Sequence, residues 1–206
     1  MEFSGEGRGA GVAVMWKKDV DVLVDTYSLN HIDAIINKGK EDEWQFTDFY
    51  GKPNTRNHYI SWATLRRLKL KYSLPWLCAG DFNEITRAHE KLGGRLRLSK
   101  QMEDIRDVLD ECGFQGLRFS GNKFTWCNGH GEGHMVWERL DRAVGTVEWM
   151  DMFLTSKVIH LESGSLDHKP LMIFLAGIPK KINKLWRFEQ MWMEEVVIGH
   201  KLNDPL

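Results

Sequence analysis

The feature that most constrains this chain is the apolar run Trp-Leu-Cys-Ala at 76–79, which stops abruptly at Gly80 and a group of polar side chains. A run of about four to eight apolar residues bounded by turn formers is typical of a strand buried on both faces. Asp81 and Asn83 follow, and residues two apart in an extended chain project from the same side. The sequence therefore predicts a central buried strand that carries a carboxylate and an amide to its open end. Taken alone, the same residues also suit an ordinary Asp-Asn turn.

Two later stretches place charged side chains beside apolar segments in a similar way. Asp167 and His168 stand directly before the apolar segment 171–175, and Asp141 lies in the segment 137–143. A buried carboxylate is costly unless it is paired, hydrogen-bonded or bound to a metal, and a buried Asp-His pair needs partners for the same reason. Together, the stretches favour a shared polar site over independent turns.

The composition is that of an ordinary soluble globular protein with one domain. The chain has 206 residues, of which 42% are hydrophobic and 28% charged, and its net charge of −1 argues against a surface that binds any polyanion. Cys78, Cys112 and Cys127 are widely spaced, so the sequence predicts neither a disulfide partner nor a zinc site. The apolar run that follows the glycine-rich N-terminus is too short for a signal peptide or a membrane span. We expect an intracellular monomer.

The remaining segments mix strand and helix patterns without the regular βαβ order of a doubly wound sheet, which predicts a layered α+β protein. Ser99 is the predicted N-cap of the second helix, and Gly113 is its predicted end. Residues 120–122, Ser-Gly-Asn, predict a hairpin turn. Besides the central strand, the predicted strands lie at 10–16, 20–26, 31–36, 44–50, 158–161 and 171–175, and the predicted helices at 57–72, 99–112 and 147–154.

Three motifs in a fixed order carry a resemblance to a known family. They are Gly-Asp-Phe-Asn at 80–83, Arg-Leu-Asp-Arg at 139–142 and Asp-His-Lys-Pro-Leu at 167–171. In this order they resemble the endonuclease/exonuclease/phosphatase superfamily, whose fold is the deoxyribonuclease I-like fold. Phe-Thr-Trp-Cys-Asn at 124–128 and the aromatic tail at 186–192 are most similar to the endonuclease domain of plant non-LTR (LINE-type) retrotransposons.

The resemblance implies an α+β fold in which a two-sheet β-sandwich is flanked by helices and the motif residues meet at one edge. The domain would span 8–178, followed by a basic and aromatic C-terminal extension at 179–206. Family members carry, ahead of the segment that matches 8–16, a strand with an Asn and a Glu that is the principal metal ligand. Glu2 and Glu6 lie in a glycine-rich context that does not resemble this motif. We therefore expect an N-terminally incomplete domain with impaired activity.

The resemblance also implies roles for residues of the first motif. Asp81 would orient or deprotonate the attacking water, and Asn83 would hold a phosphate oxygen. Tyr50 falls where the family places a phosphate-binding tyrosine, although an ordinary aromatic residue at a strand end is an equal alternative. Phosphodiester hydrolysis needs such groups around the charge that develops in the transition state.

The other two motifs would supply a phosphate contact and the metal contact. By resemblance, His168 would contact the phosphate after being oriented by Asp141, whose charge should raise the pKa of the imidazole. Asp167 would approach the metal or the leaving group. Mg²⁺ is the expected cation, because the available ligands are oxygens. For Asp141, an ion pair with Arg139 or Arg142 is the alternative.

Three functions follow from these residues. The first is a Mg²⁺-dependent endonuclease that nicks DNA in the nucleus. The second is a non-catalytic remnant that keeps the fold and a weak affinity for nucleic acid, and the third is a phosphoesterase that acts on small phosphorylated substrates. Binding to DNA should be weak and salt-dependent, because it must come from a few local cations on a nearly neutral body. The candidate cations are Arg66, Arg67, Lys91, Arg95 and Arg97.

Overall fold

The computed structural model describes residues 2–3, 12–129, 135–162, 167–177 and 199–200 of the chain. The α-helices within these residues are α1 His58–Lys69, α2 Ser99–Glu111 and α3 Val147–Met152, and short 3₁₀ helices lie at Thr55–Asn57 and Ala88–Glu90. None of these helices is long and apolar enough to cross a membrane. The strands are β1 Glu2–Phe3, β2 Val12–Ala13, β3 Val22–Ser28, β4 His31–Ile36, β5 Trp44–Tyr50, β6 Trp76–Asp81, β7 Lys91–Leu92, β8 Gln115–Gly116, β9 Phe119–Ser120, β10 Trp126–Cys127, β11 Trp137–Glu138, β12 Asp141–Gly145, β13 Lys157–His160, β14 Leu171–Phe174 and β15 Gly199–His200.

Strand β6 is the central element, and every one of its residues is buried, as the apolar run predicts. It lies in a six-stranded sheet of order β3-β4-β5-β6-β12-β8. Strands β3, β4 and β5 pair antiparallel, whereas β6 is parallel to β5 and antiparallel to β12. Because successive side chains of a strand alternate, Leu77, Ala79 and Asp81 lie on one face of the sheet and Trp76 and Cys78 on the other.

A different layer covers each face of this sheet. On the face of Leu77 and Ala79, the apolar core includes residues of β2, β13 and β14, which belong to two three-stranded sheets, β1-β2-β15 and β14-β13-β9. On the face of Trp76, the core is completed by side chains of α1 and α2 such as Leu65 and Val108. The protein therefore has the expected α+β sandwich fold, in which the six-stranded sheet packs against these small sheets on one face and against helices on the other.

The structure corrects two local predictions. Helix α2 begins at Ser99 with Leu98 at the N-cap, so Ser99 is the first residue of the helix and not its cap. The predicted hairpin at 120–122 does not form, because β9 pairs in parallel with β13 while β10 pairs with β11 in another sheet. Gly121 has a φ of 101°, and a Cβ atom there would lie 2.6 Å from the carbonyl oxygen of His160. Close approach of two backbones, rather than a hairpin, explains this glycine.

The domain bounds remain predictions. Of the predicted extension at 179–206, the described residues include only β15, which pairs antiparallel with β2. The other residues of the extension, with its lysines and aromatic side chains, lie outside the described residues.

A buried acid on the helix-facing side of the sheet affects stability at neutral pH. Asp33 in β4 is fully buried, and its Oδ1 accepts hydrogen bonds from Gln45 and Thr47 while its Oδ2 has no hydrogen-bond partner. Burial raises the pKa of Asp33 from 3.8 to about 6, against the effect of these hydrogen bonds. The folded state therefore holds this proton more tightly than the unfolded state. The stability that Asp33 contributes is fully present below about pH 4 and is lost as the pH rises through about 6.

We expect Asp33→Asn to raise the free energy of unfolding at neutral pH by about 1–3 kcal/mol. The amide keeps the acceptor oxygen for Gln45 and Thr47 and has no charge to desolvate. The gain should vanish near about pH 4, where the wild-type carboxyl is already protonated. Urea denaturation at both pH values measures the difference, with the exposed Asp151→Asn as the matched control. An equal gain at both pH values would contradict the expectation.

Candidate active site

The candidate site lies where β6 and β12 meet. Asp81, the last residue of β6, is paired in register with Asp141, the first residue of β12, so the two side chains project from the same face as close neighbours. They are only 2% and 4% exposed. Gly80 has a φ of 139°, and a Cβ atom there would lie 2.1 Å from the carbonyl oxygen of Phe49. Glycine is therefore required for β5 to approach β6 beside the first carboxylate.

His168 reaches both carboxylates from the segment that precedes β14. Its Nδ1 lies 2.9 Å from Oδ2 of Asp141, and its Nε2 lies 3.9 Å from Oδ2 of Asp81. One ligand atom from each of the three residues lies within 4.8 Å of the others. The side chain of His168 is 22% exposed, so the imidazole is the part of this group that solvent and a substrate can reach.

Burial and charge shift the pKa values of this group in ways that suit acid–base chemistry. Burial, and next the negative charge of Asp141, raises the pKa of Asp81 from 3.8 to about 7. Burial alone would lower the pKa of His168, but the charge and the hydrogen bond of Asp141, together with the charge of Asp81, raise it to about 9. At neutral pH the imidazole is therefore protonated and Asp81 lies close to its midpoint of titration.

Asn83 and Tyr50 complete the neighbourhood of Asp81. Asn83 has a φ of 55° in the turn after β6, and its Nδ2 donates hydrogen bonds of 2.8 Å to both the carbonyl of Gly51 and Oδ2 of Asp81. Its backbone N–H donates to Oδ1 of Asp81 at 2.7 Å. Tyr50 is in register with Asp81 across β5 and β6, and its pKa is raised by burial and by the charge of Asp81. The structure thus shows Asn83 orienting Asp81, while contact of Asn83 and Tyr50 with a phosphate stays a prediction.

Asp167 lies at the mouth of the site and is exposed. Its Oδ1 accepts a hydrogen bond of 3.1 Å from the backbone N–H of His168, and its carbonyl accepts one of 3.0 Å from Cys127. Asp167 does not belong to the group of Asp81, Asp141 and His168, whose possible ligand atoms lie within 4.8 Å of one another. Its predicted contact with a metal stays a prediction.

Comparisons with known proteins agree with this fold and site. A model of the endonuclease/exonuclease/phosphatase family matches residues 2–157, which is most of the chain. This protein belongs to that family. A search of curated proteins finds no match to the sequence.

Two solved structures show the same fold at low sequence identity. The endonuclease domain of TRAS1, a telomere-specific non-LTR retrotransposon, is 18% identical with a TM-score of 0.61, over 77% of this chain and 69% of that one. The 3′ phosphatase NExo from Neisseria, bound to a product DNA hairpin, is 15% identical with a TM-score of 0.53, over 81% of this chain and 79% of that one. The family membership and the fold together make this a phosphodiester-hydrolase-like domain.

Sequence reasoning missed two residues that hold the family motifs in place. The hydroxyl of Thr125, which is fully buried, accepts hydrogen bonds from the backbone N–H groups of Leu140 and Asp141 at 3.0 and 2.9 Å. Trp126 forms an isolated β-bridge with His168. The segment that contains them therefore fixes both members of the Asp-His pair. The Phe-Thr-Trp motif was the available signal, but nothing in its spacing shows which strands it joins.

The arginines beside Asp141 serve a different acid from the one considered in the sequence. Arg139 and Arg142 form ion pairs of 3.1 and 3.3 Å with Glu90, which is 5% exposed. Asp141 is paired with His168 instead. The alternative prediction, an ion pair of Asp141 with Arg139 or Arg142, is therefore wrong. Glu90 also accepts hydrogen bonds from the backbone N–H and the hydroxyl of Thr86, which lies in the turn after the first motif. This acid therefore ties the loop after β6 to the strand that carries Asp141.

The residues of the site fit a divalent cation. Members of the family generally use divalent metal ions. Asp81 and Asp141 offer the hard carboxylate oxygens that Mg²⁺ prefers, and the raised pKa of Asp81 indicates that its charge is not fully compensated by the protein. Asp167, at the mouth beside these carboxylates, would hold the ion, which leaves Asp81 to act on the water and Asp141 to orient His168.

Proposed function

We propose that this domain hydrolyses phosphodiester bonds in DNA with Mg²⁺ as its cation. The observation that supports the proposal best is the position of His168, which is hydrogen-bonded to Asp141, faces Asp81 and stays partly open to solvent. A protonated imidazole in that position offers a positive donor to an entering phosphate. Buried carboxylates behind it keep the proton on the ring up to about pH 9.

Each site residue has a role in this proposal. Asp81, with a pKa of about 7, would orient and deprotonate the attacking water at neutral pH. His168 would donate a proton or a hydrogen bond to the phosphate, and Asp141 would hold the ring in the required orientation. When bound, Mg²⁺ would stabilise the negative charge that develops on the phosphate oxygens. The remaining contacts are proposed for Tyr50, Asn83 and Asp167.

The named neighbours support DNA as the substrate and a mobile element as the origin. One neighbour is the endonuclease domain of a retrotransposon, and the other was solved with a DNA hairpin. A retrotransposon endonuclease would act on chromosomal DNA, so we propose the nucleus as its place of action.

Nicking of a supercoiled plasmid tests the proposal. Because we expect impaired activity, open-circle product should form slowly, need Mg²⁺ and disappear with a chelator. His168→Ala and Asp81→Asn should each lower the rate on the order of 10²–10³-fold, whereas Asp151→Asn, on an exposed helix position, should leave it unchanged. Nicking that survives both His168→Ala and the chelator would refute the proposal.

Affinity for duplex DNA should be weak and fall steeply with salt. Lys91 and Arg97 are already paired with Glu138, and Arg66 is paired with Glu111. Few cations therefore remain to replace counterions on the phosphates, and we expect a slope of about −2 to −4 in a plot of log affinity against log salt concentration. Fluorescence anisotropy with a labelled duplex measures the slope.

Matched variants make this salt test specific. Arg95 is exposed, and Arg95→Gln should reduce the slope by about one unit if it contacts a phosphate. Glu41→Gln, which removes an exposed acid, serves as the control. Tight binding that does not change with salt would contradict the expectation.

A further inference from the structure

A second polar cavity lies on the opposite face of the central sheet from the candidate active site. It has a volume of about 450 Å³ and is bounded by α2, β12, β8 and the loop that follows β6. Asp141 and Arg142 are consecutive in β12, so their side chains leave opposite faces of the strand. Asp141 belongs to the active-site group, whereas Arg142 lines this cavity. The two sites therefore lie back to back across one strand.

The lining of the cavity carries an excess of positive charge. Its charged residues are four arginines and two acids, Arg87, Arg106, Arg139, Arg142, Glu90 and Asp110. Another cavity, of about 380 Å³, provides a comparison within the same protein, because its charged residues are balanced. These are Arg56, Arg66, Asp104 and Asp107. Net positive charge thus distinguishes the second polar cavity from this balanced one.

The two innermost arginines have donors that the protein does not use. Arg142 is 4% exposed, and its Nε has no hydrogen-bond partner. The Nε of Arg139 is buried and unpartnered as well. Both guanidinium groups share the single buried acid Glu90. The two positive groups are therefore balanced by only one negative charge at this point of the cavity wall.

The charge of this group is incompletely compensated. Burial, followed by the charge of Arg142, lowers the pKa of Arg139 from 12.5 to about 10. Two positive groups held together at one acid favour a further negative charge in their neighbourhood. The exposed Arg87 and the half-buried Arg106 lie at the same cavity and leave it accessible from solvent.

We propose that this cavity binds a phosphate group, either as inorganic phosphate or as part of a nucleoside monophosphate. Guanidinium groups match phosphate oxygens in geometry and charge. The cavity is larger than one phosphate and lies within the size range of small-molecule sites. Leu109, Phe114 and Val144 add apolar wall on which a sugar or a base can rest.

Titration calorimetry in metal-free buffer tests the proposal with inorganic phosphate and adenosine monophosphate as probes. We expect saturable binding of at least one probe, with no binding of adenosine. Arg142→Gln would remove the most buried guanidinium but also an ion pair of the fold. Arg87→Gln is therefore the decisive variant, because Arg87 is exposed and its side chain makes no ion pair within the described residues. It should weaken binding about tenfold, as expected for the loss of one charge-assisted hydrogen bond.

Two control variants decide whether the ligand sits in this cavity. Arg56→Gln removes an exposed arginine at the balanced cavity, and His168→Ala alters the active site. Arg56→Gln should bind the probes as the wild type does. His168→Ala should remove only a separate binding event at the active site and leave the event that Arg87→Gln weakens. The proposal is overturned if neither probe saturates at millimolar concentration, or if Arg56→Gln weakens binding as much as Arg87→Gln. It is also overturned if His168→Ala abolishes binding, which would place the anion in the active site.

Discussion

Asp141→Asn is expected to lower plasmid nicking on the order of 10²–10³-fold while leaving the fold intact. Asparagine has almost the same shape as aspartate, and the substitution retains the backbone N–H groups of Leu140 and Asp141 that donate hydrogen bonds to the hydroxyl of Thr125. What the substitution removes is the negative charge that lies 2.9 Å from Nδ1 of His168. The proposed mechanism needs that charge to keep the imidazole protonated and correctly oriented.

The same variant should lower the pKa of His168. In the wild type, burial favours the neutral ring, but the charge and hydrogen bond of Asp141, together with the charges of Asp81 and Asp167, raise the pKa to about 9. The protonated ring, and the stability and activity that depend on it, are therefore present at neutral pH and lost as the pH rises through about 9. Without the charge of Asp141, this loss moves to lower pH. NMR titration of the imidazole in metal-free protein measures the shift directly.

The control for this experiment is Asp151→Asn, which removes an exposed acid on α3. It should change neither the nicking rate nor the pKa of His168. If Asp141→Asn lowered nicking and left the pKa of His168 at the wild-type value, Asp141 would act through something other than the imidazole. Full activity of Asp141→Asn would contradict the role proposed for the pair.

The sequence predicted the central strand and its polar end because both depend on local pattern. The apolar run before Gly80 predicted β6. The strands predicted at 31–36 and 44–50 have the same bounds as β4 and β5 in the structure. The meeting of Asp81 and His168 did not follow from spacing, since they are far apart in the chain. That expectation came from the resemblance of the motifs, and the structure places the two side chains 3.9 Å apart.

Contacts that depend on tertiary pairing were beyond the reach of the sequence. The two-residue strands β7, β10 and β11 are too short to have a recognisable period, yet they form the small sheet beside the site. The hydroxyl of Thr125 and the carboxylate of Glu90 act on residues that are distant in sequence. A buried glutamate in a charged loop has the same appearance in a sequence as an exposed one.

Glu90→Ala is expected to destabilise the fold by about 3–5 kcal/mol, the cost of leaving a buried charge without its partner. Arg142 is 4% exposed, and the remainder of its guanidinium hydrogen bonds go to neutral oxygens, the carbonyls of Glu84 and Arg139 and the hydroxyl of Thr86. Removal of the carboxylate therefore leaves two adjacent cations in a buried place. Urea denaturation at neutral pH measures the loss in the free energy of unfolding.

The pKa of Glu90 indicates when this stabilisation is present. Burial alone would raise the pKa of Glu90, but the charge of Arg142 and the hydrogen bonds from Thr86 lower it from 4.5 to about 2. The folded state thus holds the ionised form more strongly than the unfolded state. The contribution is full above about pH 4.5 and is lost as the pH falls through about 2, so neutral pH is the right condition for the test.

Two further variants separate charge from shape and buried pairs from exposed ones. Glu90→Gln keeps one acceptor oxygen for Thr86 and loses the charge, so it should destabilise the fold less than Glu90→Ala but by a measurable amount. Glu111→Ala removes the acid that pairs with exposed Arg66, and it should have no measurable effect, since water solvates both groups. Equal effects of Glu90→Ala and Glu111→Ala would show that Arg139 and Arg142 do not need an internal counterion. The excess of positive charge that we assign to the second cavity would then be neutralised by solvent, and the tie between the loop after β6 and the strand of Asp141 would have to come from packing alone.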